Sequence, residues 1–426
     1  YGYMSTTLRL KTGPRQYLLK VYRINEVNYE KIAFGISARF YLKRHINRLF
    51  RNSKKTDIVR HGPKDLSGKK YISDATIRRL SLARKPLLLI GSQAVLMPER
   101  IPVLIRAIET LRFPVYLSGM ARGLLAPSHP LLFRHQRRKA LKEADVIVLG
   151  GVPLDFRLNC GFGIPAKTYL ISINRDPSLL RLNRRPAEAL HGDPLKTLVE
   201  ISRSIEVSKP GRGSWHADLY KREQQREEEI RKGREKNTEN VNPLFLFSRI
   251  NERLEENSLL IADGGDFAAT ASYTLQPRSP LTWLDPGPFG TLGVGGGFAM
   301  GAKCAKPRSD IWLLYGDGAA GFSLFEFDTF VRHELPVIAV VGNDAGWTQI
   351  LRDQLEWLGD DTGCRLRHTA YHEVARGFGA EGLLIEKNEQ VEAVLKKALS
   401  ISRKGKPVLI NAILSPSEFR KGSLSI

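Results

Sequence analysis

The stretch that decides the fold is LLYGDGAAGFSLFEFDTFVRHELPVIAVVGND, from Leu313 to Asp344. It contains an apolar run that ends on Gly-Asp-Gly, a helix-like segment, and a second apolar run that ends on Gly-Asn-Asp. If the two runs are parallel strands, Asp317 and Asn343 lie side by side at the carboxyl ends of a sheet, where α/β proteins bind their ligands. Carboxylate, amide and phosphate oxygens are the ligands that Mg²⁺ prefers. The stretch therefore predicts a pocket for a hard cation and a phosphate.

Short apolar runs alternate with helix-like segments on both sides of this stretch. One series spans residues 81–204 and begins with the strand-like Pro86–Ile90, and a second series spans residues 241–426. Such alternation is typical of βαβ units and parallel sheets. We therefore expect an α/β protein with two Rossmann-like, doubly wound parallel-sheet domains. Residues 205–240 carry many opposite charges four residues apart, which predicts an exposed, charged helical linker.

The amino-terminal residues 1–80 are basic and weakly patterned, so we expect a linker or remnant with helical stretches. The chain has a net charge of +22, and residues 1–70 contain 17 lysines and arginines but only 4 acidic residues. This excess fits nucleic acid, an anionic membrane surface, an acidic substrate such as a coenzyme A ester, or a solvated linker. Residues 37–50 have helical amphipathic spacing, which fits an interfacial helix or packing against a neighbouring domain. No nucleic-acid-binding motif occurs, so we expect no nucleic-acid partner.

Composition and cysteine usage narrow the class of protein further. Apolar residues make up 42% and charged residues 26% of the chain, as in soluble globular proteins. The cysteines Cys160, Cys304 and Cys364 are widely spaced, which favours free thiols over a zinc site or disulfides. No run of about 18 apolar residues predicts a transmembrane helix. The chain begins with Tyr1 rather than Met, so we expect a piece of a longer protein.

The Gly-Asp-Gly motif, followed by Asn343 about 25 residues later, resembles the thiamine diphosphate motif of one superfamily. That superfamily includes acetolactate synthase, oxalyl-CoA decarboxylase and 2-hydroxyacyl-CoA lyase. The strings WLDPGPFGTLGVGGGFAMGAK and VGNDAGWTQI are most similar to an animal branch of acetolactate synthase-like proteins. This branch is regarded as 2-hydroxyacyl-CoA lyases of the endoplasmic reticulum. The resemblance implies that residues 81–204 form the family's central domain and residues 241–426 its diphosphate-binding domain.

The resemblance also implies roles for individual residues. Asp317 and Asn343 correspond to the two side-chain ligands of Mg²⁺, and Ala345 corresponds to the residue that adds a backbone carbonyl. Six residues correspond to positions that contact thiamine diphosphate: Gly265, Asp266, Gly290, Leu292, Gly318 and Ala319. Leu292 matches the bulky apolar residue that bends the cofactor, and Gly290 matches the carbonyl that accepts from its aminopyrimidine. Trp347 and Gln349 follow the metal loop and, with Leu292, are candidates for lining the reaction pocket.

Relatives carry a further, pyrimidine-binding domain, whose glutamate protonates the ring of the cofactor, and nothing in this chain resembles that domain. We therefore expect the chain to be a fragment of a longer enzyme that contains none of the family's catalytic side chains. The relatives' amino-terminal membrane anchor is expected outside this chain as well. In the family the bent cofactor activates its own reactive carbon, and its thiazolium ring then serves as an electron sink.

The central domain of this superfamily resembles a dinucleotide-binding fold, which holds FAD in some members and an ADP-type group in coenzyme A-using members. Gly91, Ser92 and Gln93 lie at the end of its first predicted strand. Three arginines are candidates for contacts with phosphate, with solvated surface arginines as the alternative: Arg122, Arg157 and Arg175. FAD is not assigned. His333 and His372 lie in helix-like segments and are interpreted as ordinary, partly exposed histidines.

The resemblance favours a lyase that cleaves 2-hydroxyacyl-CoA to formyl-CoA and an aldehyde one carbon shorter, with thiamine diphosphate and Mg²⁺ as cofactors. Two alternatives stay open: an acetolactate synthase-like carboligase or decarboxylase of 2-oxo acids, and a cofactor-binding fragment without turnover. Relatives form dimers or tetramers, so a homo-oligomer is expected by analogy. The resemblance also implies a location at the endoplasmic reticulum membrane; without the anchor, the location would be cytoplasmic.

Overall fold

The computed structural model describes residues 4–12, 15–23, 72–205 and 212–420 of the chain. The chain divides into two compact units, Tyr1–Lys64 and Asp65–Ile426. In the first unit, β1 (Met4–Thr12) and β2 (Arg15–Arg23) pair as an antiparallel hairpin with Met4 opposite Arg23. We expected helical stretches here, but apolar and basic residues alternate from Leu8 to Lys11, which favours a strand. The predicted amphipathic segment at residues 37–50 lies outside the described residues.

The second unit begins with a helix and a fully parallel sheet. Helix α1 spans Asp74–Leu82, and Ser73 caps it by accepting a hydrogen bond from the backbone N–H of Thr76 at 3.2 Å. Leu80 on α1 lies in the core of the sheet domain. The domain boundary that we expected at residue 81 therefore falls inside a helix that belongs to the domain.

The strands of this first sheet are β3 (Pro86–Ile90), β4 (Val115–Leu117), β5 (Val146–Gly150), β6 (Tyr169–Asn174) and β7 (Glu188–His191). Their order is β4-β3-β5-β6-β7, and all pairs are parallel. The helices that follow are α2 (Ile101–Leu111), α3 (Arg137–Glu143) and α4 (Pro194–Ser204). Apolar clusters cover both faces of the sheet, which explains why its central strands are apolar throughout.

Helix α5 (Arg212–Arg234) connects the two sheets and is the charged helix expected between them. It is not exposed on every side, because Trp215 is only 1% accessible and Leu219 and Ile230 are also buried. The indole N–H of Trp215 donates to the carbonyl of Pro86 at 3.0 Å. A few apolar residues at helical spacing therefore anchor a helix whose many charges conceal them in the sequence.

The second sheet begins after α6 (Pro243–Arg253), where Asn242 is the N-cap and Pro243, with its fixed φ, is the first helical residue. Its strands are β8 (Leu259–Asp263), β9 (Trp283–Leu284), β10 (Ile311–Gly316), β11 (Val337–Asn343), β12 (Glu381–Ile385) and β13 (Val408–Ile413). They form one parallel sheet in the order β12-β13-β11-β10-β8-β9. Two parallel α/β sheets therefore confirm the fold class predicted from the sequence.

Helices pack on both faces of this sheet. They are α7 (Gly265–Thr274), α8 (Gly295–Ala305), α9 (Asp317–Ser323), α10 (Glu326–Arg332), α11 (Thr348–Leu358), α12 (Tyr371–Gly377) and α13 (Asn388–Arg403). Strands β10 and β11 are neighbours, with Gly316 opposite Gly342, so Asp317 and Asn343 follow at the same level. The fold thereby places both predicted metal ligands at one edge of the sheet. Among the described residues, no helix combines the length and apolarity needed to cross a membrane.

Candidate active site

A cavity of about 240 Å³ opens at the carboxyl ends of β8, β10 and β11, and we call it the strand-tip cleft. Most residues singled out from the sequence line it: Gly265, Asp266, Gly290, Leu292, Asp317, Gly318, Ala319, Trp347 and Gln349. Asn343 and Ala345 are not in its wall, although their neighbours Gly342, Asp344 and Gly346 are. The tertiary structure thus gathers segments from Gly265 to Gln349 around one cavity.

Asp317 lies at the base of the strand-tip cleft and is only 2% accessible. Its carboxylate accepts hydrogen bonds from the backbone N–H groups of Gly318 at 2.7 Å and Gly346 at 3.1 Å. Burial, together with the nearby Asp344, raises the pKa of Asp317 to about 7. No cationic side chain in the described ranges pairs with this buried carboxylate, so it is a suitable ligand for a metal ion, which would stabilise its charged form.

Asn343 is fully buried beside Asp317. Its amide nitrogen donates to the carbonyl of Thr369 and to Oδ1 of Asn411, both at 3.1 Å. These two bonds orient the amide so that Oδ1 is the atom left to accept, and its neighbour is Nδ1 of His368 at 3.3 Å. The amide oxygen is therefore held in one orientation, as a metal ligand must be.

Ala345 has a left-handed backbone with a φ of 55°, which is uncommon for a residue that carries a Cβ. Its carbonyl accepts from the N–H of Leu366 at 2.8 Å, which leaves one lone pair on the oxygen. The next residue, Gly346, donates its N–H to Asp317. The loop after β11 is therefore held in an unusual conformation directly beside Asp317.

A glycine-rich loop forms another wall of the cleft and is tied down by Asp263 at the end of β8. The carboxylate of Asp263 accepts from the N–H groups of Gly293 at 3.1 Å and Gly295 at 2.7 Å. Leu292 packs so closely over Gly264 that a Cβ there would lie 2.2 Å from its Cδ2. The loop thus projects Leu292 into the cleft, where the sequence placed it.

Trp347 covers the opposite wall. A Cβ built on Gly318 would lie 2.5 Å from its indole ring, so the ring rests directly on this glycine. A side chain at Gly318 would have to displace the indole ring, which gives this glycine a steric role in addition to its backbone N–H. Asp344 is held by the hydroxyl of Thr348 at 2.6 Å, and burial raises its pKa.

The residues around the strand-tip cleft fit a magnesium diphosphate. The cleft offers buried oxygen ligands on adjoining strand tips, and a glycine without a side chain allows a phosphate to approach the backbone. Its carboxylates Asp317 and Asp344 would repel a bare anion. A divalent cation would offset that repulsion, so the donor set favours the anion together with its metal.

The end of the first strand in the other sheet is occupied by contacts within the protein. The amide of Gln93 donates to Oδ1 of Asn174 at 3.0 Å and accepts from the N–H of Arg175 at 2.9 Å. The hydroxyl of Ser92 accepts from the N–H of Met120 at 3.1 Å. A Cβ on Gly91 would lie 2.6 Å from the carbonyl of Gly151. These three residues therefore hold neighbouring loops together.

The three candidate arginines are neither solvated nor equivalent. Arg157 pairs with Asp155 through two nitrogens, at 3.1 and 2.7 Å, and Arg175 pairs with Asp193. Arg122 instead reaches the second sheet domain, donating to the carbonyl of Ser272 at 2.6 Å with its guanidinium 5.2 Å from the ring centre of Trp283. Burial lowers the pKa of Arg122 to about 10. The alternative of freely solvated surface arginines is therefore wrong for all three.

The two histidines that we interpreted as ordinary differ in position. His333 is exposed at the end of α10. His372 lies on α12 and its Nδ1 is 3.3 Å from the amide nitrogen of Asn411, the residue that also orients Asn343. Neither histidine lines the strand-tip cleft.

Sequence reasoning missed the residues that support the site. Asp263, Asn411 and Tyr371 each hold a predicted residue or loop, with the hydroxyl of Tyr371 donating to the carbonyl of Asp317 at 3.1 Å. Asp263 had a signal, because it ends an apolar strand directly before two glycines. Asn411 and Tyr371 had none, since their partners lie 68 and 54 residues away in the chain.

Comparison with known families identifies both sheet domains. A profile for the "Thiamine pyrophosphate enzyme, central domain" matches residues 73–201. A profile for the "Thiamine pyrophosphate enzyme, C-terminal TPP binding domain" matches residues 263–412. The second match contains Asp317, Asn343 and the whole glycine-rich loop.

Individual relatives agree with the family profiles. The chain is 46% identical over 354 residues to 2-hydroxyacyl-CoA lyase 2 of Mus musculus, covering 82% of this chain and 56% of the relative. It is 41% identical over 410 residues to the protein of the same name from Danio rerio, covering 94% and 65%. It is 34% identical over 339 residues to a probable acetolactate synthase of Mycobacterium bovis, covering 79% and 61%. The chain thus spans between about half and two thirds of the length of these relatives.

Proposed function

The chain belongs to the thiamine pyrophosphate enzyme family, and from that premise we propose that the strand-tip cleft binds the diphosphate of thiamine diphosphate through Mg²⁺. The observation that carries the proposal is the pair of buried ligands, Asp317 and Asn343, at the tips of adjoining strands. Asp317, Oδ1 of Asn343 and the carbonyl of Ala345 would hold the ion. Gly318 and Ala319 at the start of α9, with Gly265 and Asp266 at the start of α7, would border the diphosphate.

The bound cofactor would supply an electron sink for carbon–carbon bond cleavage. The residues of this chain would bind and orient it. Leu292 projects from the glycine-rich loop, where it would support the bend of the cofactor, and the carbonyl of Gly290 would accept from its aminopyrimidine. Trp347 and Gln349 would border the substrate and limit the access of water.

We propose that the activity is cleavage of a 2-hydroxyacyl-CoA to formyl-CoA and an aldehyde shortened by one carbon. Support comes from the relatives named 2-hydroxyacyl-CoA lyase 2, which align with up to 95% of this chain. The acetolactate synthase relative supports the alternative, a carboligase or decarboxylase of 2-oxo acids. Product analysis of the longest natural form of the protein, with 2-hydroxyacyl-CoA and with pyruvate, separates the two. Acetolactate without formyl-CoA or aldehyde would refute the lyase.

The residues around a second cavity are consistent with an acidic, partly apolar substrate. It has a volume of about 320 Å³, lies between the two sheet domains and includes apolar and aromatic residues such as Phe133 and Phe156. Its arginines are Arg122, Arg134, Arg137, Arg138, Arg157 and Arg420. Guanidinium groups bind phosphate through paired hydrogen bonds, so this cavity suits the phosphorylated part of a coenzyme A ester.

The cofactor proposal predicts that Asp317→Asn weakens Mg²⁺-dependent binding of thiamine diphosphate by about tenfold or more, because a neutral amide replaces the only proposed carboxylate ligand. Isothermal calorimetry at saturating Mg²⁺ measures the effect. Asp328→Asn, which removes an exposed carboxylate from α10, is the control and should bind like the wild type. Equal affinity of the wild type and Asp317→Asn would contradict the proposed metal site.

Turnover is proposed for the whole protein, because the glutamate that assists the cofactor in relatives has no counterpart among the residues of this chain. A homo-oligomer and a location at the endoplasmic reticulum membrane are likewise proposed from the resemblance. Light scattering and cell fractionation test them. If the longest natural form binds the cofactor but forms no product from any of these substrates, the alternative of a binding protein without turnover is favoured.

A further inference from the structure

One wall of the strand-tip cleft contains an ion pair between Asp266, which the resemblance places at the cofactor, and Arg352, which has no role in the motifs. Asp266 lines the cleft from the first turn of α7, and Arg352 extends from α11. The two nitrogens of the guanidinium lie 3.0 and 3.4 Å from the two carboxylate oxygens, which makes the pair bidentate. Both side chains are well shielded, with Arg352 15% and Asp266 11% accessible.

The cleft has an excess of negative charge that makes this pair important. Asp266, Asp317 and Asp344 all line it. Burial and the charge of Asp344 raise the pKa of Asp317, and burial and the charge of Asp266 raise the pKa of Asp344. The three carboxylates therefore repel one another. Among the described residues, Arg352 forms the ion pair with this group of carboxylates. A diphosphate that enters the cleft would add further negative charge beside Asp266.

The pair also connects the metal loop to the body of the domain. Helix α11 begins directly after Trp347, and none of its residues is buried. Apolar packing therefore contributes little to holding α11 against α7. The bidentate contact between Arg352 and Asp266 ties the helix to the wall of the cleft, close to where Trp347 rests on Gly318.

We propose that Arg352 is a positioning residue for the diphosphate site, and that it acts by cancelling the charge of Asp266. This proposal rests on the proposed function, because the diphosphate is the group that would be repelled. With its charge cancelled, Asp266 does not repel the diphosphate. A single metal ion, held by Asp317 and Asn343, is then enough for binding. Arg352 acts through Asp266 and need not touch the ligand.

The test compares Arg352→Gln, Asp266→Asn and the double variant in the longest natural form of the protein. Calorimetry with thiamine diphosphate at fixed, saturating Mg²⁺ gives the affinities. Arg352→Gln removes the guanidinium paired with Asp266 and leaves Arg420 as the remaining cation that interacts with this carboxylate, so binding should weaken roughly tenfold, with a larger loss at low salt. Asp266→Asn removes the carboxylate that would repel the diphosphate and is the reference for the double variant. The double variant should recover to within about threefold of the wild type.

The recovery separates charge cancellation from a purely structural role. If Arg352 only supports the fold, removing Asp266 as well cannot restore the affinity. Arg253→Gln is the matched control, because Arg253 is equally shielded, is paired with Glu392 and does not line the strand-tip cleft. Its affinity should equal that of the wild type. Thermal unfolding of each variant checks that the protein is folded.

Arg352→Lys keeps the positive charge and is the substitute variant if Arg352→Gln does not fold. Its affinity for thiamine diphosphate should fall by less than about threefold. The proposal is overturned if Arg352→Gln binds like the wild type, if the double variant stays as weak as Arg352→Gln, or if Asp266→Asn alone weakens binding tenfold. Failure of the wild type to bind thiamine diphosphate with Mg²⁺ would instead overturn the proposed function, and this inference with it.

Discussion

Two aspartates at neighbouring strand ends are held by backbone N–H groups rather than by side-chain cations. Asp317 accepts from Gly318 and Gly346, and Asp263 accepts from Gly293 and Gly295. Burial nevertheless raises the pKa of both carboxyl groups. Asp263 organises the loop that carries Leu292, whereas Asp317 faces the strand-tip cleft. The proposed metal would stabilise the ionised form of Asp317, which the protein alone stabilises poorly.

The pKa of Asp317 predicts how metal-free stability depends on pH. Its pKa is about 7 in the folded protein and 3.8 in the reference state, so the folded protein holds a proton that the unfolded chain has lost between these values. The contribution of Asp317 to stability therefore falls as pH rises from about 4 to 7. Thermal unfolding in a chelator should show a steeper decline for the wild type than for Asp317→Asn, which has no proton to lose. Parallel curves would contradict the shift, and added Mg²⁺ should stabilise the wild type more at pH 7.5 than at pH 5.

At the level of elements, a few buried residues decide how the helices dock. Helix α5 is charged along most of its length, yet Trp215 and Leu219 insert into the core of the first sheet domain. Helix α1 docks through Leu80. Helix α11 shows the opposite arrangement, because it has no buried residue and is linked to α7 by the Asp266–Arg352 pair. The charge spacing predicted a helix at α5 but not which side chains hold it.

Trp215→Ala should therefore destabilise the protein by about 3–5 kcal/mol, since it removes a fully buried indole and its hydrogen bond to Pro86. Chemical denaturation followed by circular dichroism measures the change in the free energy of unfolding. Tyr220→Ala lies on the same helix at an exposed position and is the control, with an expected change below about 0.5 kcal/mol. A small effect of Trp215→Ala would show that α5 is not anchored by this residue.

On the scale of the whole second unit, two parallel sheets meet around a cavity rich in arginine. Arg122 crosses from the first sheet domain to Ser272 in the second. Within the described part of the chain it forms no ion pair, although Asp285 interacts with it electrostatically, and its Nε has no hydrogen-bond partner. Burial lowers its pKa to about 10, so the charged form is held at a cost. Such a residue is better explained by binding an anion than by stabilising the domain contact.

Arg122→Met should consequently leave the midpoint of thermal unfolding unchanged or raise it, because it removes a poorly compensated buried charge while keeping the apolar volume. The same variant should weaken binding of a coenzyme A ester by about tenfold, as measured by calorimetry. Arg181→Met, outside this cavity, is the control for the loss of a guanidinium. A large loss of stability without a loss of affinity would assign Arg122 to the fold instead.

The fold class and most of the cleft were predictable because they depend on local patterns. Apolar runs of strand length, each followed by glycine and a polar residue, specify strands that end in ligand-bearing turns, and the runs before Asp317 and Asn343 are the clearest cases. The charge spacing of α5 also predicted a helix. Its many charged residues gave no indication of the face that packs against the first sheet domain. The hairpin β1–β2 was not predicted, because its alternation was read as weak helical pattern.

The partners of the polar side chains were beyond prediction, since they depend on which strands become neighbours. Asp266 meets Arg352 across 86 residues, and Asn343 meets Asn411 across 68 because β13 lies next to β11 in the sheet. Residue types and spacing along the chain set the helices, the strands and their polar tips, and these sufficed to foresee that Asp317 and Asn343 follow adjoining strands at one end of the sheet. Strand order and packing then set which charges are buried together, because burial and long-range contact depend on the whole arrangement rather than on any segment of it.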